Sequence, residues 1–140
     1  MIETNPTEEL DKRIDAIEAG YEFFLAYAAQ GRASDRDAKG AASSLRQHLG
    51  SMAEALSGLG DVVRRCAAAR DPEWPNLAAR FFAAIDDDAG KASGALRLVL
   101  AQKDISSQLI DNLNASIHLR ALLTDIFVVD EALKQRATAS

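Results

Sequence analysis

The sequence predicts an all-α protein folded as an antiparallel up-down-up-down four-helix bundle, and three observations carry that expectation. Apolar residues recur at alternating spacings of three and four over most of the chain. No stretch holds the strict apolar–polar alternation of a strand long enough to compete. The strongest breaks leave four helical segments joined by short connections, which favours antiparallel neighbours. The chain has 140 residues, 48% of them hydrophobic and many of those alanine, so one domain over 1–140 can bury a core without disulfides or metal. Residues 1–6 and 136–140 are expected to fray.

The first segment opens at Thr7, a capping residue type, with Glu8 and Glu9 complementing the helix dipole and Pro6 just outside. Leu10, Ile14, Ile17, Tyr21, Phe24 and Ala28 form its apolar stripe. Gly31 ends it. The second segment starts at Ser34 or Asp35, and Ala38, Ala42, Leu45, Leu49, Met52, Leu56, Leu59 and Val63 keep one phase. Gly58 and Gly60 each cost about 1 kcal/mol relative to alanine inside a helix, and Asp61 could cap a new one. Because the phase runs unbroken to Val63, a continuous or kinked helix to Ala69 is the expectation, with a true turn as its alternative.

Asp71-Pro72-Glu73-Trp74-Pro75 opens the third segment, since Asp71 can cap and prolines are tolerated in a first turn. Trp74, Ala78, Phe81, Ile85, Ala92, Leu96 and Val99 supply its buried stripe. A helix ending at Gly90 would set Asp86, Asp87 and Asp88 beside the negative end of the dipole, so the segment is carried on to Gln102. From Ala95 to Ser140 there is neither glycine nor proline, and the start of the fourth segment rests on Asp104 and Ser106-Ser107 as caps. An unbroken helix through this region would give a different shape, such as a coiled-coil arm.

Charge narrows the partners. Sixteen basic against twenty-one acidic residues give a net charge of -5, and no basic stripe is present, which argues against nucleic acid and anionic membrane surfaces. Cys66 is the only cysteine, so no intramolecular disulfide forms and a cytoplasmic protein is expected. The first residues lack the pattern of a secretory signal, and no apolar run reaches the roughly 18 residues of a membrane span.

His118 would need an orienting or proton-accepting neighbour, yet the positions three and four away hold Asn114, Ala115, Ala121 and Leu122. A helical histidine in a four-helix bundle also invites comparison with histidine phosphotransfer domains. Ala121 and Leu122 stand where that class carries lysine and glycine, and His48 is followed by Ser51 and Met52. No Glu-x-x-His pair, paired cysteines, haem-attachment motif or phosphate-binding glycine loop is present, so no catalytic, cofactor or metal residues are assigned. Asp86, Asp87 and Asp88 point about 100° apart on a helix and read as a solvated face near Lys91, as do Glu18 and Glu22. Cys66, though beside Arg64 and Arg65, reads as a small buried residue, and Gly90-x-x-x-Gly94 as alanine-rich close packing.

The last segment changes face. Ile110, Leu113 and Ile117 make one stripe and Leu119, Leu122, Ile126, Val129 and Leu133 another, with Leu123, Phe127 and Val128 filling the space between. Such a helix is either central or covered by another chain. The reading is therefore a non-enzymatic interaction protein (a small regulator, adaptor or assembly factor), homodimeric through Leu119, Leu122, Leu123, Ile126, Val129 and Leu133, with another protein partner also admissible. His118, at the change of face, is the candidate for pH sensitivity of that contact. The alternative is a small-ligand sensor or carrier with an apolar pocket bordered by Tyr21, Phe24, Trp74, Phe81 and Phe127. A phosphotransfer protein is the third reading.

Overall fold

The computed structural model describes residues 5–37 and 41–138, with side chains other than those of residues 37, 41–43, 117, 118 and 136–138. The described residues are all-helical, with no strand: α1 (Pro6–Ala28), α2 (Ala41–Leu56), α3 (Leu59–Arg70), α4 (Trp74–Leu77), α5 (Ala79–Leu100), α6 (Ser107–Asn114) and α7 (Ile117–Thr138), plus a 3-10 turn at Asp35–Asp37. Three of the four expected segments are broken, and each break has a local cause.

α1 begins two residues earlier than expected. Asn5 is the cap, its Oδ1 accepting from the Thr7 N–H at 2.9 Å. Pro6 takes the first helical position, where its missing N–H has no partner to lose. Leu10, Ile14, Ile17, Phe24 and Tyr27 are buried, whereas Tyr21 is only half-buried. Gly31, at φ +63, provides the left-handed residue that turns the chain out of the helix.

The second segment is two helices, not one continuous or kinked helix. Gly58 adopts φ +73, a conformation that glycine reaches without steric cost, and α3 restarts at Leu59. Leu56, Leu59 and Val63 nevertheless all face the core, so the apolar phase survives the turn. The break leaves the last carbonyls of α2 without helical partners, and Arg13 of α1 donates to the Ala55 carbonyl in that last turn and to the Ser57 carbonyl just beyond it. Gly60 permits close approach of α3 to α5: a Cβ there would lie 2.5 Å from Asp86 Oδ1 and 2.7 Å from Asp86 Cβ.

Asp71 accepts from the Glu73 N–H at 2.9 Å, but the helix it introduces is only the four-residue α4. Ala78 leaves helical geometry at φ -115 and ψ 31, and α5 then runs unbroken through Gly90 and Gly94 to Leu100. Ser106 caps α6 as expected, its Oγ accepting from the Leu109 N–H at 3.0 Å. The chain interrupts again at Ala115-Ser116 before α7. The change of buried face in the sequence is thus a helix boundary.

α1 packs on α2, α3 and α6, while α5 packs on α2, α3 and α7. The core between them is built from Phe24, Leu45, Leu49, Met52, Leu59, Ile85 and Leu96, all essentially inaccessible. Burial of this kind contributes about 1.5–3 kcal/mol per large apolar side chain before entropy is counted. No helix among the described residues is long and apolar enough to cross a membrane.

Candidate functional site

α7 decides which surface is available. Leu119, Leu122, Ile126, Val129 and Leu133 are all buried within their own chain, so this stripe is core and does not supply exposed apolar surface for a second subunit. The sixth interface residue expected from the sequence, Leu123, is half-buried. Arg120, Thr124, Glu131 and Gln135 form the exposed polar line of α7. Phe127 and Val128 flank that line at 51% and 54% exposure. Successive helical residues diverge by about 100°, so these two neighbours serve opposite sides of α7.

Phe127 and Leu123 border an open groove of about 820 Å³ whose other bank is Glu18, Tyr21 and Glu22 of α1, with Arg120 and Thr124 at its edge. Val128 borders a smaller cavity of about 240 Å³, lined by Ala67, Trp74, Leu77, Ala78, Phe81, Phe82, Val129, Ala132 and Leu133. Only hydrophobic residues line this second depression, and Leu77 at its rim is 82% exposed. The five aromatic residues expected around one pocket are therefore divided. Phe24 is core, Tyr21 and Phe127 line the first groove, and Trp74 and Phe81 line the second.

His48 stacks on Phe23 with ring centroids 4.6 Å apart. The side chain of His118, the candidate pH-sensitive group, lies outside those described. Cys66 is buried, and burial pushes its thiol above the ordinary range despite the nearby Arg65 charge. Asp87 pairs with Lys91 at 3.0 Å. Burial, and then the negative charge of Asp88, push the Asp125 carboxyl up. Among the described residues no three His, Cys, Asp or Glu side chains gather as a metal-binding group.

A polar node that sequence reading did not single out joins the two loops at one end of the fold. Asp35, almost wholly buried, accepts from Arg46 Nε at 2.8 Å and from the Ile105 N–H at 2.9 Å. Burial works to raise the Asp35 carboxyl, but the Arg46 hydrogen bond, the Ile105 N–H and the Arg46 charge together hold it below its ordinary value. Tyr27 donates its hydroxyl to the Ile105 carbonyl at 2.6 Å, and Ser107 donates to the Tyr27 carbonyl at 2.7 Å. All these donors and acceptors satisfy one another, which makes the node a fastening of the loops rather than a reactive centre. Two of the open depressions among the described residues lie beside α7.

The described residues form an all-helical protein whose exposed large hydrophobics, Leu25, Leu77, Leu98, Phe127 and Val128, lie on α1, α4, α5 and α7. No known protein family, curated protein or solved structure matches the chain.

Proposed function

We propose that this protein is a non-enzymatic interaction module that self-associates as a two-fold dimer through surface beside α7. Its scaffold is read as an antiparallel bundle with four positions, occupied by α1, α2–α3, α4–α5 and α6–α7. The observation that carries the reading is the pair Leu77 and Val128, two exposed large hydrophobic residues bordering one apolar depression beside α7. Exposed apolar surface in contiguous patches is costly in solution and marks contact sites. A two-fold dimer covers such a patch on both copies at once. The buried, unpaired Cys66 fits a reducing compartment such as the cytoplasm.

Sedimentation of the full chain from nanomolar to micromolar concentration tests the reading. A mass that doubles with concentration supports it, and a monomer throughout overturns it. A second reading, a small-ligand carrier, is favoured by the α1–α7 groove, whose volume of about 820 Å³ falls within the roughly 300–1,000 Å³ of small-molecule sites. Native mass spectrometry of the purified protein would support that reading by detecting a retained small molecule.

A further inference from the structure

We infer that the groove between α1 and α7 is a binding site for a protonated organic amine with an apolar body, its ammonium held by Glu18 and Glu22 and its body against Tyr21, Leu123 and Phe127. This inference rests on the small-ligand reading of that groove and names the ligand class. Glu18 and Glu22 stand one helical turn apart, so both exposed carboxylates serve the same bank. Among the described residues neither forms an ion pair, and nor does Arg120, the cation in the lining, which stands on α7. The α1 bank is therefore negative without compensation, which favours a cation over an anion there.

Beside these carboxylates the groove offers rings and hydrocarbon, with Tyr21 half-buried and Phe127 51% exposed. Aromatic faces attract a cation, and the same rings can cover the hydrocarbon that carries it. An amine with an apolar body uses both kinds of surface.

A separate observation lies at the inner end of the groove. Asn114 is only 6% exposed, yet its Oδ1 and Nδ2 are both buried without a hydrogen-bond partner. Such a doubly unsatisfied amide is rare in a folded protein and costs stability. The Ser107 hydroxyl accepts from the Arg32 N–H and donates to the Tyr27 carbonyl, which sets that face of α6 against α1. Asn114, two turns on, lies on the same face. α6 runs antiparallel to α1, with Ser107 beside Arg32 and Ala115 beside Glu18 and Tyr21, so Asn114 faces α1 where the groove begins. Ala115, the next residue, is part of the groove lining. The Asn114 Oδ1 is thus a third acceptor for the ammonium, and three acceptors suit an N–H-bearing cation better than a quaternary one.

Titration of the full chain with phenethylamine, phenethyl alcohol and phenylpropionate, followed by the amide resonances of Glu18, Tyr21, Glu22 and Phe127, tests the assignment. Phenethylamine should bind at least about tenfold more tightly than the alcohol, the worth of one charge-assisted hydrogen bond, and phenylpropionate most weakly. Glu18→Gln and Glu22→Gln should each weaken the amine by about the same factor, whereas Glu54→Gln, exposed on α2 and outside the groove, should leave it unchanged. Asn114→Leu, of similar branched shape, should raise the thermal midpoint by removing the unsatisfied amide and yet weaken amine binding. An Asn114→Leu protein that binds the amine as the wild type does overturns the role of Asn114. Equal binding of the alcohol or the carboxylate at these resonances overturns the ligand class but leaves the groove a small-ligand site. No shift with phenethylamine overturns the class as well; a small molecule retained in native mass spectrometry would then keep the small-ligand reading, and none retained would overturn both.

Discussion

Arg46 and Asp35 are joined at 2.8 Å, and the same guanidinium that holds this buried carboxylate also donates to the carbonyls of Leu100, Gln102 and Lys103. One side chain of α2 therefore closes the C-terminal end of α5 and pins the loop that follows it. Carbonyls at a helix end need external partners, and a cationic donor there also complements the dipole.

Arg46→Met is expected to destabilise the fold by about 2–3 kcal/mol, less than the roughly 3–5 kcal/mol of a fully buried pair because Arg46 is about a third exposed. The acid response should weaken as well. In the wild type Asp35 titrates below its ordinary 3.8, so its contribution is fully present above that value and is lost as pH falls through the lowered one. With the arginine gone, only backbone hydrogen bonds still oppose burial, so the carboxyl should titrate higher than in the wild type and less stability should be lost on acidification. Urea denaturation of both proteins between pH 3 and 7 checks both statements.

Two glycine-to-alanine substitutions should act in opposite directions. At Gly60 an added Cβ would collide with Asp86, and overpacking of this kind costs about 1–3 kcal/mol. At Gly90 nothing lies within 4 Å of the added atom, and alanine should stabilise α5 by about 0.5–1 kcal/mol. Thermal melts of Gly60→Ala and Gly90→Ala should therefore bracket the wild type.

Cys66 should resist thiol reagents in the folded protein. It is buried on α3 and burial raises its thiol, so little thiolate is present or accessible near neutral pH. Labelling by a disulfide reagent should proceed only as fast as the chain opens and should accelerate in urea. Rapid stoichiometric labelling without denaturant would contradict this placement.

Helix existence was legible in the sequence because residues such as Leu45, Leu49, Met52 and Leu56 are spaced to face one core and do so. The breaks were harder to read. At Gly58 the turn spans so few residues that Leu56 and Leu59 keep their phase, and periodicity alone does not register the left-handed glycine. At Ala115-Ser116 neither glycine nor proline marks the break, and only the shift of the apolar stripe recorded it.

The candidate surface was partly legible for the same reason. α7 packs on α5, α3 and α6 of its own chain with Leu119, Leu122 and Ile126 buried, leaving Phe127 and Val128 on either side of its polar line. Leu77 was missed because a leucine on a four-residue helix has no periodic stripe to belong to. Asp35 and Arg46 were missed because a contact between an isolated acid and an isolated base has no local spacing.

The most direct test of self-association is analytical sedimentation of the unmodified chain across the micromolar range. The account predicts a reversible rise from 15.0 kDa toward twice that mass as concentration increases. A constant 15.0 kDa throughout would contradict it.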